Sequence, residues 1–226
     1  MIVRTPDGRT LTVEGEPQPF VAGWAYAVWA YGPDGGYRLN VSPAGSAESV
    51  AKKMGDWPRY VVREATWNGG RILSLEEQEQ AFTNMLWIGP HHEVATVVNG
   101  IGVPLETFMD RLSLFDVRDA ADGLTLLPRA GSGQQLGNML AVNAIDQLCS
   151  VQVVPVAQTA TYLPNTAGKS VRGGRMWRID ETDQRGRVSS RSALVVNETT
   201  ATTITAAQPD DPRFIAAVES ITCGLG

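Results

Sequence analysis

Gly69-Gly70-Arg71-Ile72-Leu73 returns later in the chain as Gly173-Gly174-Arg175-Met176-Trp177, and the segments after each copy run in the same order. After the first copy come Leu86-Trp87-Ile88, a Thr/Val run at Val94–Val98, and Pro104 opening a helix-like run to Leu114. After the second come Leu194-Val195-Val196, a Thr-rich run at Thr199–Thr205, and Pro212 opening a run to Ile221. Gly69 to Gly173 is a step of 104 residues, whereas Leu86 to Leu194 and Pro104 to Pro212 are each 108. A hairpin turn lengthened by four residues in the second copy accounts for the change. An echo of this kind predicts a duplicated β-hairpin-strand-helix unit. It constrains architecture and carries no chemistry of its own.

Local patterns fill in the rest. Ile2–Arg4 and Thr10–Val13 read as a hairpin around Pro6-Asp7-Gly8, and Trp24–Tyr31 alternates large and small residues as a strand does. Gly32-Pro33-Asp34-Gly35-Gly36 is a turn signal, with Tyr37–Val41 returning as the partner strand. Ser46 reads as the N-cap of a helix ending near Gly55, with Glu48 in its first turn and Lys52-Lys53 in its last. Tyr60–Trp67, Arg71–Leu75, Phe82–Ile88 and Glu93–Asn99 read as strands, and Leu105–Leu114 as a helix across them. Ser74-x-x-Glu77 resembles a capping box, but the repeat argues for strand and turn over Glu76–Gln80. Asp122-Gly123 turns into a strand at Leu124–Leu127, and Arg129–Gly133 reads as a linker. Ser132 then caps the longest helical pattern, with Leu136, Leu140, Ile145 and Leu148 among its apolar positions, before a strand at Val151–Val156.

These elements predict an α+β fold: antiparallel sheets with packed helices, built from two pseudo-repeated units. Residues 1–45 form N-terminal hairpins joining the first sheet, 46–130 the first α+β repeat unit and 131–226 the second.

Apolar residues make up 43% of the chain and charged residues 19%, which predicts a globular protein. A formal net charge of −5 argues against nucleic acid as partner. No run approaches ~18 apolar residues, so no membrane span is expected and any anchor would lie outside this sequence. The N-terminus lacks the segments of a signal peptide, which predicts a cytoplasmic protein or an excised region of an exported one. Cys149 and Cys223 each follow a helix-like run, and a disulfide between them would contribute on the order of 4 kcal/mol. Two buried free thiols are the alternative.

Few residues carry a case for chemistry. His91 and His92 are the only histidines, and neighbours on a strand point to opposite faces, so a shared metal ion is not expected. Asp116, Asp119 and Asp122 lack the alternating spacing and distal Glu of a Ca²⁺ loop. Glu76, Glu77 and Glu79 read as a solvated face. Phosphate-binding glycine loops and nucleophile motifs are missing, so neither a cofactor nor catalysis is expected. The aromatics Trp24, Tyr26, Trp29, Tyr31 and Tyr37, followed by Trp57, Tyr60 and Trp67, concentrate in the first third. Trp and Tyr are enriched at interfaces, so these residues, the first five above all, are the candidate binding surface for a protein partner or an apolar or small ligand.

The runs Gly173-Gly174-Arg175-Met176-Trp177-Arg178-Ile179-Asp180 and Ala201-Thr202-Thr203-Ile204-Thr205 resemble extracytoplasmic α+β domains of actinobacterial lipoproteins and membrane-anchored proteins. The resemblance implies a cell-surface location. The expectation is therefore a non-catalytic extracytoplasmic binding or protein-interaction domain. The alternatives are a structural subunit of a larger assembly such as a phage or secretion apparatus, cytoplasmic or virion-associated, and an apolar-ligand carrier.

Overall fold

Valine, isoleucine, threonine and aromatic residues recur at alternate positions through most of this chain, a period that turns one face of a strand inward. The structure, a computed structural model, follows that period. It describes residues 1–15, 20, 23–33, 35–47, 60–77, 81–159 and 163–226. In chain order the elements begin with strands β1 (Ile2–Arg4), β2 (Thr10–Glu14), β3 (Ala25–Gly32), β4 (Gly35–Pro43), β5 (Tyr60–Trp67), β6 (Gly70–Glu77), β7 (Phe82–Ile88) and β8 (His92–Asn99). Helix α1 (Leu105–Ser113), β9 (Phe115–Ala120), β10 (Gly123–Pro128), β11 (Gln135–Ile145) and β12 (Cys149–Pro155) follow. The chain ends with β13 (Lys169–Val171), β14 (Gly174–Thr182), β15 (Val188–Val196), β16 (Thr200–Ala206), α2 (Arg213–Ser220) and β17 (Thr222–Leu225).

Among the described residues strands account for 58% and helices for 11%, which overturns the α+β expectation: the protein is mainly β. The largest correction is Leu136–Leu148. Met139, Ala141, Asn143 and Ile145 are buried at every second position, and β11 pairs with β12 from Ala141↔Val153 to Ile145↔Cys149. Non-local pairing overrides the helical spacing of Leu136 and Leu140 there. Phe115–Ala120, just after α1, is also a strand, paired with β10. Most of the helix expected from Ser46 to Gly55 lies outside the described residues.

Two compact units emerge. One comprises residues 4–8 and 25–137, and the other residues 1–3, 9–24 and 138–226. The first holds an antiparallel sheet in the order β3-β4-β8-β7-β6-β5, and the second one in the order β11-β12-β16-β15-β14-β13. Their registers correspond pair by pair. Arg71↔Ile88 and Leu73↔Leu86 of β6–β7 match Arg175↔Val196 and Trp177↔Leu194 of β14–β15. Trp87↔Val94 matches Val195↔Thr202, and Val41↔Val94 matches Val153↔Thr202. The four extra residues fall in the β14–β15 hairpin, which turns at Asp183–Arg187 beyond a bulge at Glu181/Thr182.

The echoed glycines have a steric cause. A Cβ on Gly70 would overlap the carbonyl oxygen of Ile88, and one on Gly174 the carbonyl oxygen of Val196. These are equivalent residues in the two registers. Gly174 also sits at φ 134°, and Asn68-Gly69 (φ 47° and 73°) form the tight turn before β6.

Each unit then places a helix after its fourth paired strand. Phe108 and Leu112 of α1 are buried, as are Phe214 and Val218 of α2, the same one-turn spacing in each. The following strand pairs differently in the two units. β9 pairs with its successor β10, whereas β17 pairs with β2 from the chain's beginning, Cys223 opposite Val13. The expected disulfide is absent: Cys149 in β12 and Cys223 in β17 are both free and buried. Cys149 lies in the six-stranded sheet between β11 and β16, and Cys223 belongs to a separate pairing with β2.

Candidate functional site

Alternation along β3 divides the expected aromatic surface. Tyr26, Val28 and Ala30 point inward and are buried, while Trp29 and Tyr31 point outward at 40% and 42% exposure. Trp24 is also buried. Burial raises the Tyr26 hydroxyl well above the ordinary phenol range, with Asp7 adding to the shift. Two of the five candidates therefore serve the core. Trp29 and Tyr31 stack on each other with ring centroids 6.4 Å apart and planes 21° apart. Tyr37 is half-buried beneath the Arg111 guanidinium of α1, which lies 4.9 Å from its ring centroid. Burial raises the Tyr37 hydroxyl, and the Arg111 charge partly offsets that.

The setting of these side chains comes from a break in the sheet. The β4–β8 ladder runs from Pro43↔His92 to Asn40↔Ala95 and stops there, although both strands continue. In the sister unit the corresponding ladder runs on through Val151↔Ile204, Ser150↔Thr205 and Cys149↔Ala206. The missing pairs in the first unit would be Leu39 with Thr96, Arg38 with Val97 and Tyr37 with Val98. Instead the Thr96 hydroxyl donates to the Arg38 carbonyl at 2.8 Å. Where the strands part, a groove of about 550 Å³ opens, lined by Trp29, Gly36, Tyr37, Arg38, Asn40, Val97, Val98, Asn99 and Arg111. Arg38, Val97, Asn99 and Arg111 had no signal in the sequence, because their convergence depends on strand register and on a helix packed from elsewhere.

The other singled-out residues do structural work. His92 Nδ1 lies 2.7 Å from Asp119 Oδ1, and Asp119 Oδ2 accepts the backbone N–H groups of His91 and His92 at 2.8 and 3.2 Å. Asp119 thus fixes the start of β8 against β9. Asp116 pairs with Arg118 and Asp122 with Arg4, so the three aspartates diverge. Among the described residues no three His, Cys, Asp or Glu side chains gather as a metal site. Glu76 is buried and pairs with Arg63, which corrects the solvated-face expectation for that residue. Glu79 lies outside the described residues. Glu93 is buried, its Oε1 accepting from Ser42 Oγ and the Ala47 N–H, and burial raises its carboxyl above the ordinary range.

A second groove of about 530 Å³ lies within the other unit, with Met1, Phe20, Ile145 and Ile221 in its walls. Its cation and carboxylate, Arg172 and Glu14, pair with each other at 3.3 Å. No helix among the described residues is long and apolar enough to cross a membrane. No protein-family profile matches the chain, and no curated protein matches it either.

Proposed function

We propose that this protein is a non-catalytic protein-interaction domain, with its binding surface at the parted strands β4 and β8 and the exposed Trp29–Tyr31 pair beside them. One observation carries the reading: the sister unit closes its sheet at the same positions. The architecture therefore does not require an open groove, and its presence in one copy calls for another reason. An extended segment can add to strand edges through backbone hydrogen bonds, with pockets reading alternate side chains. Trp29 supplies the large, rigid anchor that such contacts favour. The free, buried thiols remove the disulfide argument for an exported protein, so the proposal is one of binding and leaves the extracytoplasmic expectation resting on resemblance alone.

The test is selection of a displayed library of random peptides on the folded protein, screened against a Trp29→Ser/Tyr31→Ser variant whose folding is checked by circular dichroism. Peptides that bind the wild type and lose binding to the variant support the reading. Failure to recover any, or recovery only of peptides indifferent to the variant, overturns it.

A further inference from the structure

The groove gathers positive charge. Arg63, Arg71, Arg118, Arg178, Arg187, Arg191 and Arg213 each have a carboxylate partner within the chain. Arg38 and Arg111 have none among the described residues, nor do Arg129, Arg175 and Arg185, but Arg38 and Arg111 come together in one groove whose lining holds no carboxylate. This occurs in a protein of formal net charge −5, in which cations are the minority. A site that gathers unpaired cations on an acidic protein is complementary to an anionic partner.

The lining also defines the partner's shape. Residues of both sheet faces border the groove, because the strands part: Trp29, Arg38 and Val97 from one face, Tyr37 and Val98 from the other. Gly35–Leu39 stay paired with β3 and Thr96–Asn99 with β7, but the sides that β4 and β8 turn toward each other there form no ladder. A narrow, extended chain that offers its own backbone groups fits that arrangement. A planar or apolar side chain would rest on the exposed Trp29–Tyr31 stack.

Resting on the interaction reading above, we propose that the groove takes an extended acidic peptide segment, with a carboxylate held by Arg38 and Arg111 and an apolar or aromatic neighbour against Trp29. Guanidinium groups suit this role because they offer several donors in a planar fork. Nucleic acid shares the negative charge and the stacking surfaces, but it lacks the alternating backbone N–H and C=O groups that a peptide offers to strand edges.

The experiment is fluorescence anisotropy with synthetic peptides of one alternating pattern, Val and Trp at the apolar positions and Glu, Gln or Lys at the others, each carrying an uncharged dye. An oligothymidylate with the same dye is the fourth probe. The Glu peptide is expected to bind about tenfold more tightly than the Gln peptide, the low end of what a charge-assisted hydrogen bond supplies. The Lys peptide is expected not to bind, and the Glu preference to shrink as salt is raised. Arg38→Gln/Arg111→Gln should reduce the Glu peptide to the level of the Gln peptide. Arg38→Gln alone, at an exposed strand position, keeps the test valid if loss of Arg111 disturbs Tyr37. Equal binding of Glu and Gln peptides, with dependence on Trp29 kept, overturns the acidic preference and leaves the interaction reading standing. Oligothymidylate binding more tightly than the Glu peptide overturns the peptide assignment. No binding by any probe, together with a library selection that yields nothing, overturns both.

Discussion

Gly174→Ala should be among the costliest small substitutions in this protein, and the reason lies in the repeat. Gly174 sits at φ 134°, a conformation essentially reserved for glycine, and forcing alanine into such a region costs on the order of 1–3 kcal/mol. Its new methyl group would also overlap the Val196 carbonyl next to the Arg175↔Val196 pair that starts the β14–β15 ladder. Relieving that overlap requires moving backbone, and overpacking of this kind adds about 1–3 kcal/mol. The expected loss is therefore about 2–6 kcal/mol, with about 3 kcal/mol a conservative figure. Gly70→Ala meets the equivalent Ile88 carbonyl without the positive φ, so it should lose about 1–3 kcal/mol from overlap alone. Gly69→Ala has φ 73° and nothing within 4 Å of the added atom, which leaves only a left-handed cost of about 1–2 kcal/mol. Urea unfolding followed by far-ultraviolet circular dichroism checks the order. With a slope of about 2 kcal/mol per molar urea, Gly174→Ala should move the midpoint down by about 1.5 M. If Gly174→Ala costs no more than Gly69→Ala, the steric account of the echoed glycines is wrong.

Two further predictions test burial. Cys149 and Cys223 are buried, and desolvation pushes both thiols up to about 11, so a disulfide-exchange reagent should label them slowly in the folded protein and fully in urea; rapid labelling of the native protein would contradict their placement. Glu93 has its carboxyl raised by burial, above the ordinary value of about 4.3. The folded state then keeps a proton that the unfolded chain has released, so this contribution is full below the unfolded value and lost as pH rises through the folded one. Wild type should lose stability relative to Glu93→Gln as pH rises from about 4, measured by urea unfolding at stepped pH, and a constant difference would refute the assignment.

The duplication was readable because glycine positions and the strands that follow them repeat within one register, and register is what the echoed residues enforce. The helical content was not. Leu136, Leu140, Ile145 and Leu148 satisfy a loose helical spacing, while Met139, Ala141, Asn143 and Ile145 satisfy a strand's. Only the presence of β12 alongside decides between them. The aromatic cluster was visible as composition, but alternation has two phases. Nothing local says that Tyr26 faces inward and Trp29 outward; burial of Val28 and Ala30 with Tyr26 settles the phase. Asp119 and Arg111 were beyond reach for the same reason as the cysteine geometry. Each depends on which strand or helix lies beside it, which is a long-range property of the fold.

Because the two units share one register, each serves as the other's control. Trp29 opposite Arg38 corresponds to Ala144 opposite Ser150, and Ala30 opposite Tyr37 to Ile145 opposite Cys149. Across the break, Val97 corresponds to Thr205. The copy with Ala144, Ser150 and Thr205 closes its sheet, and the copy with Trp29, Arg38 and Val97 leaves it open. Closing a ladder gains roughly 0.5–1.5 kcal/mol per hydrogen bond, so the open copy forgoes a few kcal/mol that its sister retains. The Thr96–Arg38 bond recovers only part of this. An incoming strand that satisfied the remaining positions would gain what the sheet itself does not make. It would meet Trp29 and Arg38 at the residues by which the two copies differ most. A break arising from sequence drift alone gives no reason for an anchor-type aromatic and two guanidinium groups, neither with a carboxylate partner among the described residues, to collect at its rim. The proposed extended partner would account for the break and for the residues around it together.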